Sequence, residues 1–219
     1  YNDAKKEGLD VYCMLDMLVF PSALVEKHKA ELTNEKGKID ISKPYTQHCV
    51  RELMKEIFDT FPQLDGLVIR TGETYLHDAP YYVGNHPVQK GMHDHVTLIN
   101  LLREEVCEKR NKRLFYRTWD IGKLHSLPHH YLSVTDSVEP HPNLYFSLKH
   151  TMTDFWRSGV SIPQVDYDKL DTYWLEESGR YGVPFNPCIG IGKHAQIVEV
   201  QCQREYEGKA AHPNYIAKG

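Results

Sequence analysis

Apolar runs of strand length alternate with amphipathic helices along most of this chain. That alternation restricts its fold more than any other feature. Residues 9–20 read Leu-Asp-Val-Tyr-Cys-Met-Leu-Asp-Met-Leu-Val-Phe, an apolar run stopped by Pro21, which predicts a buried strand. Residues 46–61 place Val50, Leu53, Met54, Ile57, Phe58 and Phe61 on one face of a helix, with a solvated outer side. A second strand is expected at 64–70, with Thr71-Gly72-Glu73 just beyond it. A second helix is expected at 93–109, with Val96, Ile99, Leu102 and Val106 inward. Further strands are expected at 113–119, 143–150 and 196–205. Between them lie a charged loop with one short helix (22–43), a Pro-, Gly-, His- and Tyr-rich surface loop (75–91), and an irregular segment with a helix near 130–137. A long aromatic-rich insertion covers about 155–195. The first residues, up to Gly8, read as the tail of a helix and its glycine stop.

Strand, helix, strand, helix, strand is the pattern of a parallel α/β fold. A doubly wound sheet and a (β/α)8 TIM-type barrel share it. The first four strands end in polar or charged residues, and the fifth carries Glu199, Gln201, Gln203 and Glu205 in one row opposite Val198, Val200 and Cys202. Such residues at the carboxyl ends of several strands favour the barrel, whose site is assembled there. No Gly-x-Gly-x-x-Gly follows a strand, so a dinucleotide fold has little support. A barrel takes about 250 residues. The expectation is therefore a single partial barrel over 1–219, about five of the eight units, beginning in mid-domain. The missing units, from the parent chain or an oligomer, would be needed to cover open strand edges and restore activity.

Net charge is −4, with no basic stretch, which argues against a nucleic-acid partner. No apolar run approaches the ~18–20 residues of a membrane span. The five cysteines are widely spaced, without a Cys-x-x-Cys pair. Cys13 and Cys202 fit buried free thiols better than a disulfide framework. No signal peptide is present at the start, and the cellular location is not readable from it.

Three carboxylates, Glu73, Asp154 and Glu205, and three cations, Arg70, Arg117 and Lys149, fall at or beyond predicted strand ends. Glycoside hydrolysis needs a carboxylic acid on the leaving oxygen and a carboxylate on the opposite face of the sugar. Converging cations suit an acidic sugar, Arg especially through its bidentate fork. Trp119 shares a strand face with Arg117, placing it for sugar stacking, whereas Trp156 and Trp174 fit packing under the insertion. His93, His95, His129, His130 and His150 raise a metal site. Here, though, His93-Asp94-His95 precedes a helix rather than ending a strand, and Asp94 fits an N-cap. No metal and no cofactor are expected. No Gly-x-Ser-x-Gly elbow supports a serine triad, and Cys202 lies on the apolar side of its strand.

These residues resemble the catalytic barrel of the family 67 α-glucuronidases over most of the chain. Gly66-Leu67-Val68-Ile69-Arg70-Thr71-Gly72-Glu73 is similar to the family strand that carries the general acid. Tyr116-Arg117-Thr118-Trp119 is similar to its Trp-Arg-x-Phe pattern. Leu148-Lys149-His150-Thr151-Met152-Thr153-Asp154-Phe155 keeps the family's Lys-to-Asp spacing. Glu199-Val200-Gln201-Cys202-Gln203-Arg204-Glu205-Tyr206-Glu207-Gly208 is similar to its last motif.

The resemblance implies an inverting O-glycosyl hydrolase acting on a uronic-acid-bearing oligosaccharide, with Glu73 as acid and Asp154 or Glu205 activating water. Inversion requires carboxyl groups about 6.5–9.5 Å apart. Arg70, Arg117 and Lys149 would clamp the sugar carboxylate, with Trp119, His150 and Tyr206 also in the binding set. Glu199 and Gln201 would sit deeper in the barrel in hydrogen-bonding roles. The insertion is longer than in the family, and loop 74–91 differs. Both border the cleft, so another acidic glycan remains open. Two other readings stand beside this one: a non-catalytic binder of acidic carbohydrate, and a metal-dependent barrel hydrolase.

Overall fold

The computed structural model describes residues 1–74, 76, 79–120, 123–150 and 186–200. The chain opens with a short helix, α1 (Asn2–Lys6), and turns at Gly8, whose φ of 75° suits glycine. Strand β1 (Tyr12–Asp16) follows, then a three-residue strand β2 (Val19–Pro21) and two short helices, α2 (Ser22–Lys27) and α3 (Lys29–Leu32). Helix α4 (Pro44–Thr60) has proline in its first turn, where the missing N–H costs nothing. It buries Thr46, Val50, Met54 and Phe58 at a spacing of four and leaves Glu52, Lys55, Glu56 and Asp59 in solvent.

Strand β3 (Gly66–Arg70), a short strand β4 (Tyr82–Gly84) and helix α5 (Met92–Leu102) come next. Helix α5 runs on into a π-helical turn, Arg103–Glu108. Then come β5 (Arg113–Arg117), α6 (Lys123–Ser126), α7 (Pro128–Thr135), β6 (Leu144–Lys149) and β7 (Ala195–Glu199).

Five strands form one sheet in the order β1-β3-β5-β6-β7, every neighbouring pair parallel. The fold is therefore mixed α/β with a parallel sheet whose strands follow one another in chain order. Strands β2 and β4 pair separately as an antiparallel ribbon. Their pairing puts a strand inside the segment expected to be only loop. Asn85, just past β4, holds the 32–41 segment to it, accepting from Ile39 N at 2.8 Å and donating to Ile39 O at 3.0 Å.

The two faces of the sheet differ. Leu67, Ile69, Leu114, Tyr116, Leu144, Phe146 and Leu148 are fully buried. Helix α5 meets this face through His95, whose ring packs edge-on against Tyr116, and α7 meets it through Tyr131 against Phe146. The opposite face carries Met14, Val68, Phe115 and Tyr145 in one register row. Phe115 stacks on Tyr145 at 5.2 Å and meets Tyr12 edge-on at 5.0 Å. This face is only half-covered: Met14 is 54% exposed and Ile197 39%.

Several expected boundaries shift. The apolar run 9–20 breaks into β1 and β2, because Leu18 takes a left-handed conformation at φ 57°. The 93–109 helix changes to π-helical hydrogen bonding at Arg103, as in Lys109 N to Glu104 O at 3.0 Å. Cys13 is half-buried rather than buried, and the described cysteines Cys13, Cys49, Cys107 and Cys188 are unbridged. Burial pushes the Cys107 thiol up to about 12. No helix among the described residues is long and apolar enough to cross a membrane.

Two outcomes follow. Gly66 lies so close to β5 that an added Cβ would sit 1.9 Å from the Arg113 carbonyl oxygen. Gly66→Ala is expected to force the strands apart and destabilise the protein by about 3 kcal/mol, read by denaturant unfolding. Glu105, in the π-turn, is buried against Arg51, Lys109 and Arg110. Burial alone would raise its pKa, but those three cations hold it down to about 2. The cluster's contribution is then complete above the ordinary glutamate pKa and is lost as pH falls toward about 2. Glu105→Gln is expected to remove that part of the acid dependence, read as a flatter stability profile between about pH 4.5 and 2.

Candidate functional site

The parallel register brings the carboxyl ends of β1, β3, β5, β6 and β7 to one edge of the sheet. Asp16 pairs with Arg70, Arg117 with Ser147, and Lys149 with Glu199. Arg70 and Arg117 lie one residue beyond the Ile69–Tyr116 pair. With a side-chain period of two, all six residues fall on the half-covered face.

Arg117 and Glu199 form the centre of this row. Arg117 Nε donates to Glu199 Oε1 at 2.7 Å and Nη2 donates to Oε2 at 2.6 Å, a bidentate pair that reaches across β6. Ser147, on β6 between them, donates from its hydroxyl to the same Oε1 at 2.7 Å. Burial opposes the charge on Glu199, yet the Arg117 guanidinium, the Ser147 hydroxyl and the Lys149 ammonium together hold its carboxyl below the usual range.

Lys149 is only 4% exposed. Its ammonium lies 3.8 Å from the centre of the Trp119 ring, a cation–π contact in a partly desolvated position. Trp119 stands two residues past Arg117, beyond the end of β5, and its buried Nε1 has no hydrogen-bond partner among the described residues. His125 of α6 meets the Trp119 ring edge-on at 5.0 Å. It is itself fixed by Thr118, whose Oγ1 is 3.0 Å from His125 Nδ1. The Asn186 amide, 3.3 Å from the same ring, donates to the Lys149 carbonyl at 3.2 Å. A buried polar shell thus holds the Trp and Lys from behind.

At the other side of the row, Arg70 Nε lies 3.3 Å from Asp16 Oδ1. Its Nη2 donates to the Glu73 carbonyl at 2.8 Å. Glu73 is half-buried and has a φ of 57°, a left-handed conformation that non-glycine residues seldom take. Thr71, between them, ties β3 to β5 by donating from Oγ1 to the Arg117 carbonyl at 3.1 Å.

Of the residues singled out in the sequence, Arg70, Arg117, Trp119, Lys149 and His150 come together along this edge. His150 follows Lys149, and its backbone N donates to the Glu199 carbonyl at 3.1 Å. Glu73 lies three residues past the end of β3. Asp154, Glu205 and Tyr206, with Trp156, Trp174 and Cys202, lie outside the described residues. Glu199 is the last residue of β7, level with Lys149, and takes a hydrogen-bonding role with Arg117 and Ser147.

The histidines do not collect. His93 is exposed, while His95 is buried, with Nδ1 2.8 Å from the Tyr116 hydroxyl and Nε2 3.3 Å from Asp120. Asp94 lies in the first turn of α5, three residues after the N-cap Gly91. Its Oδ2 accepts from the backbone of Gln89 and Lys90, at 2.6 and 2.5 Å, so it braces the preceding loop. Among the described residues no group of three His, Cys, Asp or Glu is placed to hold a metal ion.

Asp16, Ser147, His125 and Asn186 were not among the candidates. Only Asp16 carried a sequence signal, as an acid between apolar neighbours. The arrangement sets cations beside an aromatic ring and keeps the Glu199 carboxylate ionised between them.

Glu199→Gln retains the shape and removes the charge. It is expected to cost about 2 kcal/mol at neutral pH, because the buried Lys149 and the half-buried Arg117 lose their carboxylate. Its loss should also remove the stability that wild type gives up as pH falls below the ordinary glutamate range, where the depressed Glu199 finally protonates. Denaturant unfolding over a pH series checks both, and equal stability of the two proteins would show that the pair contributes nothing net. Comparison of the chain with models of protein families and with curated protein sequences finds no match.

Proposed function

We propose that this chain forms part of a (β/α)8-type glycoside hydrolase that cleaves a uronic-acid-bearing glycan. The observation that carries the reading is the meeting of Lys149, Trp119, Arg117 and Arg70 at the carboxyl edge of parallel strands laid down in chain order. Strands in chain order suit a barrel, and barrel enzymes build their sites at that edge. A sugar carboxylate would meet Lys149 and Arg70, while the ring of Trp119 offers an apolar side to the pyranose. Arg117 is already engaged by Glu199. Like Arg70, which is held by Asp16, it would join the sugar carboxylate by exchanging one anion for another.

Glu73 takes the general-acid role in this reading, with Asp154 or Glu205 activating water. The left-handed backbone at Glu73 supports a functional role, since strain of this kind collects at active sites. A non-catalytic binder of acidic carbohydrate would use the same cations and ring without the acid–base chemistry of Glu73 and its partner carboxylate.

The full-length protein separates the two. Glu73→Gln is expected to lower kcat on a uronate-capped oligosaccharide by about 100- to 10,000-fold, as loss of a general acid does. Affinity for the same ligand, measured by calorimetry, should stay within about threefold, since the Gln keeps the local shape. Full activity in the variant would sink the acid assignment, and ligand binding without release of uronic acid by wild type would leave the binder.

A further inference from the structure

Asp16 interrupts an otherwise apolar segment at the carboxyl end of β1, with Leu15 before it and the fully buried Met17 and Leu18 after it. It stands in register with Arg70, and its Oδ1 lies 3.3 Å from Arg70 Nε. That oxygen is buried and makes no aligned hydrogen bond among the described residues, so the contact is one of charge. The same guanidinium turns its Nη2 to the Glu73 carbonyl, 2.8 Å away. One arginine therefore spans the carboxylate of β1 and the peptide of the residue whose φ is 57°.

A residue with a side chain stays in the left-handed region only when its surroundings hold it there. The Arg70 bond is such a hold, and it depends on the guanidinium keeping one orientation. Long cationic side chains lose that orientation readily once their partner charge is removed. Asp16, on the more rigid strand, supplies the partner charge.

We propose that Asp16 is a positioning residue of the site: its carboxylate fixes Arg70, and Arg70 fixes the left-handed turn at Glu73. The effect on turnover rests on the reading of Glu73 as general acid, whereas the effect on the backbone does not.

Asp16→Asn keeps the shape and removes the charge. In the full-length protein, amide exchange of the peptide covering 71–74 is expected to speed up about tenfold while that of 67–69 is unchanged, the signature of local rather than global loosening. Turnover of a uronate-capped oligosaccharide, whose leaving oxygen needs a proton, is expected to fall about 10- to 100-fold in kcat with KM within about twofold. An aryl uronoside with an acidic phenol leaves without that help and should lose less than about threefold. Arg70→Lys keeps a charge near Asp16 but cannot serve both partners from one planar fork, and it should reproduce the exchange change. Unchanged exchange at 71–74 in both variants, or equal losses on the two substrates in Asp16→Asn, would overturn the proposal. If exchange responds as expected but Glu73→Gln shows no dependence on the leaving group, the link from Asp16 to Glu73 stands and the acid role of Glu73 falls.

Discussion

The parallel, in-register pairing of five strands is the constraint from which the rest of this structure hangs. Parallel strands end at the same edge, so Asp16, Arg70, Arg117, Lys149 and Glu199 meet although they are far apart in sequence. The two-residue period then decides which face each one takes. On the helix-covered face β3, β5 and β6 place fully buried apolar side chains. On the other face the edge is charged and the row beneath it aromatic. A slip of one residue in β7 would take Glu199 away from Arg117 and turn it toward the apolar side. The bidentate pair and Ser147 therefore lock the register as well as the charges.

Charges gathered at such an edge repel unless they are arranged. Here they are paired: Asp16 by Arg70, then Arg117 by Glu199, with Lys149 against both a ring and that same carboxylate's field. The row is thereby close to neutral. The left-handed residues Leu18 and Glu73 lie in the connections just beyond β1 and β3. Both stand beside the charged edge, whereas the third such residue, Asn111, precedes the amino end of β5.

The strands themselves were legible because long apolar runs of strand length have few alternatives. Residues 64–70, 113–119 and 143–150 each contain the observed strand within a few positions. What failed to show was set by distant contacts. The 9–20 run looks continuous, yet it bends at Leu18 so that Val19–Pro21 can pair with Tyr82–Gly84, some sixty residues on. The period in 93–109 reads as one helix, since a π-turn leaves the apolar spacing nearly intact. In the site, the alternation of Glu199 with Val198 indicates its face, whereas its level along the edge comes from pairing with Lys149, which no local pattern encodes. The engagement of Arg117 by Glu199 was hidden for the same reason. Asp16 was readable as an acid among apolar neighbours, whereas Ser147, His125 and Asn186 look ordinary until the fold assembles them.

Strand order that equals chain order has a consequence for assembly. Each new strand of the sheet docks on the one made before it, apart from the ribbon, so no strand must be threaded between two that are already paired. Each step joins strands separated by a comparable length of chain, which keeps the loop-closure cost of every addition similar. A chain built this way can grow its sheet from one side as it leaves the ribosome. The growing edge would be exposed at every stage, and β7, the last of the five described strands, would deliver Glu199 to the row, so the step that sets its register also pairs Arg117 with its carboxylate.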